Sequence, residues 1–274
     1  MLQEMIRERL GAIMTNPLQI PNVTCEVCTG PLASQYTRCY RCNEDARRGD
    51  VPVARRVVPL TYAVVGTQAD RDMYRYKDPM PAAQRLRNPS YQRLLLLLLG
   101  FAQTHASCLD IVASKPVTGM TTVPSLRGRP GVHPLAVLAS VLPGHWAPVE
   151  LEAAVGIPEA QRRDLRPGHF IVPEPSTVTD KHILVLEDTW VQGGHAQSAA
   201  SALLLAGASE VTILVIARRI RTDSPRSLTE ASMQQILTDR EYSVSICPVI
   251  GRSCRHWPPH PRPTSWAAPS GQED

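Results

Sequence analysis

Two stretches of the chain carry residues whose types and spacing suit chemistry. The first is Cys25, Cys28, Cys39 and Cys42, a C-x2-C-x10-C-x2-C pattern. Two such knuckles offer four thiolates that can close tetrahedrally around one zinc ion. A complete thiolate set leaves no open coordination position, so the zinc expected here is structural. Paired disulfides are the competing chemistry, and they belong to oxidising compartments. The N-terminal MLQEMIRERLGAIMTN interleaves acids and arginines with its apolar residues, unlike a secretion signal. A ribbon of about thirty residues cannot build its own core, so metal binding would supply its folding energy. Gly30-Pro31 suits a turn after the first knuckle.

The second stretch is HILVLEDTWVQGGHAQSAASALLLAGASEV, residues 182 to 211. Its order predicts a buried strand over 182–186, Glu187 and Asp188 at its carboxyl end, a loop over 189–195 and a helix from Ala196. Ligand crevices of open α/β sheets lie at the carboxyl ends of the strands. The first turn of a helix has unpartnered N–H groups that favour a phosphate, and Gly193 and Gly194 let backbone approach it closely. The acids would repel phosphate but accept hydrogen bonds from sugar hydroxyls. Acids beside a phosphate cradle point to a sugar phosphate. The same order also suits an ordinary crossover connection with Asp188 solvated or capping. No dinucleotide fingerprint, nucleotide P-loop or hydrolase nucleophile elbow is present.

The elements that must position these residues read as alternating strand and helix. Arg55–Gly66, Met120–Ser125, HFIVP, HILVLED and EVTILVIARR read as strands. YQRLLLLLLGFAQTH, HPLAVLASVL, AQSAASALLLAG and SLTEASMQQILTDREY read as helices. Such alternation predicts a parallel sheet covered by helices on both faces. The organisation expected is an N-terminal helix over 1–20, a zinc ribbon over 21–52, an α/β domain over 53–246 and a proline-rich disordered tail over 247–274. The longest apolar run, Leu94 to Ala102, is far shorter than the roughly 20 residues of a membrane span. A cytoplasmic protein is expected. The net charge of +4 is only mildly basic and names no partner.

Cys108, Cys247 and Cys254 lack metal-ligand spacing. Cys108 reads as packed core. Cys247 and Cys254 stand near His256 and His260, but the six-residue gap and the prolines speak against a second metal site.

Residues 183–217 resemble the signature of type I phosphoribosyltransferases: hydrophobic strand, two acids, short loop, helix and next strand. With the upstream ribbon, YRYKD (74–78), TVPSLRGRPGVHPLAVLA (122–139) and RRDLRPGHFIV, the chain from about 21 to 220 resembles the ComF family of competence-associated, phosphoribosyltransferase-like proteins. The resemblance implies that Glu187 and Asp188 bind the ribose hydroxyls of phosphoribosyl pyrophosphate. It implies that Thr189, Val191, Gln192, Gly193, Gly194 and His195 hold its 5-phosphate, and that Arg127 or Arg129 meets the pyrophosphate, which carries magnesium. The protein would then position the ribosyl centre for attack by a nitrogen acceptor. The loop departs from the family pattern, with Val191, Gln192 and His195 where threonines are usual, and RGRPGVH replaces the family's arginine-led stretch. Two further readings follow: a noncatalytic protein of the competence machinery, or a ribbon whose Arg47, Arg48, Arg55 and Arg56 contact single-stranded DNA.

Overall fold

The computed structural model describes residues 1–32, 35–128, 131–222 and 241–254. Helices α1 (Leu2–Leu10) and α2 (Tyr40–Arg47) precede strand β1 (Arg56–Val64). Helices α3 (Gln68–Arg75), α4 (Pro89–Thr104) and α5 (Cys108–Val112) lead to β2 (Val117–Thr122). Next come α6 (Pro134–Ala139), β3 (Ala147–Pro148), β4 (Glu152–Ala153) and β5 (Phe170–Ile171). Strand β6 (His182–Trp190), helix α7 (Gly194–Leu205) and β7 (Glu210–Ile220) complete the sheet. Its order is β1-β7-β6-β2-β3, and every pairing is parallel.

The central strands β6 and β7 are buried nearly throughout because both of their faces are covered. Successive side chains alternate between the faces. Leu184, Leu186, Leu214 and Ile216 join the layer of α1, α3, α4 and α6. Ile183, Val185, Ile213 and Val215 join Ala196, Ala199, Ala200 and Leu203 of α7. In the leucine run of α4, Leu94, Leu97 and Leu98 are fully buried, at helical spacing. The Asn88 side chain caps this helix by accepting from the N–H groups of Ser90 and Tyr91, and Pro89 occupies the first turn, where no donor is needed.

Several expected boundaries move. The N-terminal helix ends at Leu10 rather than near residue 20, although Met14 still packs into the core. The strand expected at Met120–Ser125 lies at Val117–Thr122 and stops before Pro124. HFIVP supplies only Phe170–Ile171, which pairs antiparallel with β4 in a separate two-stranded sheet; the main sheet takes β3 at its edge instead.

The tail expected from residue 247 does not begin there. Tyr242, Cys247 and Val249 are buried. Tyr242 N–H donates to the Gly11 carbonyl, Asn16 exchanges two hydrogen bonds with the Ser243 backbone, and Gln19 donates to the carbonyls of Pro248 and Val249. Residues 241–254 are therefore part of the packed fold. The helix expected over SLTEASMQQILTDREY, apart from Glu241 and Tyr242, lies outside the described residues, as does the tail from 255. Among the described residues, no helix is long and apolar enough to cross a membrane.

Candidate functional site

Strand β6 runs four residues beyond Leu186, so Glu187 and Asp188 belong to the strand itself, and so does Thr189. The connection expected over 189–195 is only Val191–Gly193, because helix α7 starts at Gly194. Trp190 is buried. Its ring lies so close to Gly193 that a Cβ there would be 2.2 Å from it, and Gly193 has φ +83°. Both constraints require glycine at that position. A Cβ on Gly194 would meet the Arg163 carbonyl at 2.0 Å, so the glycine pair lets two neighbours close onto the start of α7.

Glu187, Asp188 and His195 form part of the wall of a cleft of about 1140 Å³. Lys77, Arg85, Arg127, Arg162 and Arg163 also line it, so a carboxylate pair faces a basic rim. Of the candidate loop, His195 belongs to the wall, while Val191 and Gln192 are exposed. Arg129 lies outside the described residues.

The two acids have different partners. Asp188 accepts a hydrogen bond from Tyr76 Oη at 2.8 Å and forms an ion pair with Lys77. Glu187 Oε2 is 2.9 Å from His195 Nδ1, and Glu187 Oε1 accepts from the Asp188 N–H at 2.9 Å. Burial pushes the Glu187 carboxyl above its usual range, against the opposing hydrogen bond of His195. Burial also acts on Asp188, but the Lys77 ammonium and the hydrogen bonds hold it below the usual range. The pair is therefore split: Asp188 stays an acceptor-only carboxylate, and Glu187 and His195 form a proton-holding couple.

His195 supplies a pH prediction. Burial alone would lower its pKa, but the hydrogen bond and charge of Glu187 outweigh this and raise it. A raised folded value means that this pair contributes stability fully present below about pH 6.5 and lost as pH climbs through the folded pKa. Imidazole NMR should place the His195 midpoint above 6.5 in the wild-type protein, and Glu187→Gln should bring it below. An unchanged midpoint in the variant would refute the pairing.

Tyr76 and Lys77, within YRYKD, join the site although no sequence spacing links them to β6. They are carried just past the end of α3, whose position is set by Asp72. That fully buried carboxylate accepts from Arg93 Nε (2.6 Å) and Nη2 (2.7 Å), Ser90 Oγ (2.7 Å) and Gln68 Nε2 (2.8 Å). The network ties α3 to α4 and so sets the reach of Tyr76 and Lys77 toward β6.

The four ribbon cysteines converge, with all their sulfur atoms within 4.8 Å of one another, and can hold one metal ion. The first knuckle is a tight hairpin. Thr24 pairs with Pro31, the Cys25 N–H donates to the Gly30 carbonyl, and the Thr29 N–H donates to the Cys25 carbonyl. The second knuckle opens α2, with Cys39 at its N-cap. The ribbon is clamped to edge strand β1: the Val57 N–H donates to the Val27 carbonyl, and Tyr62 Oη donates to the Thr29 carbonyl at 2.8 Å. An otherwise open sheet edge is thereby covered. From β7, Arg218 reaches the same place. Its Nη1 donates to the carbonyls of Trp190 and Val191, both at 3.0 Å, and the thiolate cluster raises its pKa against the effect of burial. One guanidinium thus joins the ribbon to the connection that opens α7.

The arginines considered for nucleic acid are mostly engaged within the chain. Arg47 faces Glu44 and Arg48 faces Asp50, at 3.9 and 3.8 Å, and Arg56 donates to the Val112 carbonyl. Arg55 is exposed. A second donor cluster brings Cys108, Cys247 and Cys254 together with His105. Cys108 is buried in the core as expected, but the grouping corrects the expectation that spacing speaks against a second metal site; His256 and His260 lie outside the described residues.

Fold and site define an α/β protein with a parallel sheet, a metal-competent ribbon on its edge strand, and a cleft of paired acids and cations at the sheet's carboxyl edge. Comparison with protein-family models, curated proteins and solved structures returns no match in any of the three.

Proposed function

We propose that the chain is a phosphoribosyltransferase-like, cytoplasmic protein that binds phosphoribosyl pyrophosphate in this cleft and transfers its phosphoribosyl group to a nitrogen acceptor. The observation that carries this reading is the placement of Glu187 and Asp188 at the carboxyl end of β6, facing a cleft with a basic rim. A sugar phosphate needs both: acceptors for its hydroxyls and cations for its phosphates. In this reading Asp188 accepts from the ribose hydroxyls, the start of α7 with His195 faces the 5-phosphate, and Lys77 with Arg127 faces the pyrophosphate. Magnesium would enter on the pyrophosphate, screening its charge. The chain's own part is to hold the ribosyl carbon in line for attack and to place carboxylates beside the positive charge that develops there. The four-cysteine cluster is assigned to structural zinc, since thiolates suit that ion and a filled tetrahedron leaves no open position.

The test is calorimetric titration of the zinc-loaded protein with phosphoribosyl pyrophosphate and magnesium, beside Asp188→Asn. Binding should weaken at least tenfold in the variant, about 1.4 kcal/mol. Absence of binding to both proteins would sink the reading.

A further inference from the structure

We propose that His105, Cys108, Cys247 and Cys254 hold a second zinc ion, which staples the C-terminal segment 241–254 to the corner between α4 and α5. The four donor atoms all lie within 4.8 Å of one another. Cys108 Sγ and Cys254 Sγ are 3.4 Å apart, and His105 Nδ1 is 3.5 Å from Cys254 Sγ and 4.0 Å from Cys108 Sγ. Zinc–sulfur bonds of about 2.3 Å at a tetrahedral angle separate two sulfurs by about 3.8 Å, so one ion fits the gap. His105, Cys108 and Cys247 are buried, and Cys254 closes the cluster from the partly exposed side.

Two further observations point to a metal rather than to packed thiols. The first is the tautomer of His105. Its Nε2 lies 2.7 Å from the Val244 carbonyl, which can only accept, so the proton sits on Nε2. Nδ1 then presents a lone pair to the sulfurs. A ligating histidine commonly has its second nitrogen bonded in this way, because that bond fixes the ring and its tautomer.

The second is the backbone around Cys247, which repeats the first ribbon knuckle position by position. Ile246 pairs with Ser253, the Cys247 N–H donates to the Arg252 carbonyl, and the Gly251 N–H donates to the Cys247 carbonyl. These offsets match Thr24 with Pro31, Cys25 with Gly30, and Thr29 with Cys25. The left-handed residue also falls at the same step, Thr29 at φ 53° and Gly251 at φ 71°. The difference lies in the second thiol. Cys28 comes three residues after Cys25, whereas Ile250 takes that place here and Cys254 supplies the thiol from the far end of the hairpin. The unusual spacing is the reason the pattern escapes a search for paired cysteines. Metal binding would release the three thiol protons to solvent and leave a site of net charge −1.

The cross-link joins residues separated by up to 149 positions, so its closure acts on a long loop of the unfolded chain. Zinc should be measured on the full chain purified in reducing buffer without chelator. The expected content is two ions per chain, with X-ray absorption giving an average of about 3.5 sulfur and 0.5 nitrogen neighbours per zinc. Cys254→Ser should halve the content and leave an all-sulfur spectrum. One zinc per chain with four sulfur neighbours in the wild-type protein would overturn the proposal, whether or not the variant folds. So would a Cys108–Cys254 disulfide found by mass spectrometry in that preparation, or two zinc ions retained by Cys254→Ser.

Discussion

Cys28→Ser should release the ribbon metal and lower Tm by roughly 10 °C, about 3–5 kcal/mol for a domain of this size. The size of the effect follows from where the ribbon sits. Cys25, Cys28 and Cys42 share a hydrophobic cluster with Trp190, Val57 and the α7 face of the sheet, so an opened ribbon uncovers that cluster. Edge strand β1 loses its bond from Val57 to Val27, and Tyr62 Oη loses its acceptor at Thr29. Arg218 loses the anionic sulfur cluster that offsets its charge and stays fixed to the carbonyls of Trp190 and Val191. An uncompensated charge in that position costs more than the lost hydrogen bonds. The consequence reaches the cleft, because those carbonyls belong to the connection that opens α7. Affinity for the proposed ligand, phosphoribosyl pyrophosphate, should therefore fall together with Tm. Calorimetric melting and metal analysis check this. A Cys28→Ser protein with unchanged metal content and Tm within about 2 °C of wild type would refute the structural role.

Asp72→Ala should cost about 3–5 kcal/mol, although residue 72 lines no part of the cleft. The carboxylate is fully buried and receives four donors, two of them from a single guanidinium. Removing it leaves Arg93, whose side chain is 17% exposed, without its counter-ion, and Ser90 without its acceptor. Leaving buried donors unpaired is more expensive than never having placed them there. Arg93 and its hydrogen-bonding neighbours hold the Asp72 carboxyl below its ordinary range against the effect of burial. A depressed folded value contributes stability present above the unfolded pKa of about 3.9 and lost as pH falls through the folded one. Denaturation curves of wild type and variant should differ most at neutral pH and converge in strong acid. Because α3 carries Tyr76 and Lys77 toward Asp188, ligand binding should weaken as well. A variant that loses less than about 1 kcal/mol at pH 7 would show that the network does not hold α3.

The two variants also separate structure from site. Asp188→Asn, which alters the proposed ligand contacts directly, should change affinity with far less change in Tm than either. Equal losses of affinity and stability in all three would mean that the cleft responds only to global loosening.

Features with short sequence periods were legible from the residues alone. The knuckles of Cys25, Cys28, Cys39 and Cys42 are local turns, and their spacing already brings the thiols within reach of one ion. Runs such as ILVL in β6 and ILVIA in β7 are apolar at every position because a central parallel strand is covered on both faces. The acid pair followed by glycines marked the carboxyl end of β6, although the strand continues to Trp190.

What the tertiary structure decided is which distant residues meet. Tyr76 and Lys77 reach Asp188 across more than a hundred residues only because α3 is pinned by Asp72 and Arg93. His105 and Cys108 meet Cys247 and Cys254 because the C-terminal segment returns along α1 and α4, held by Gly11, Asn16 and Gln19. Neither meeting has a sequence period, since each depends on strand order and on which apolar faces are already covered. Local spacing predicts a knuckle; only the packed chain brings together donors that lie far apart along it.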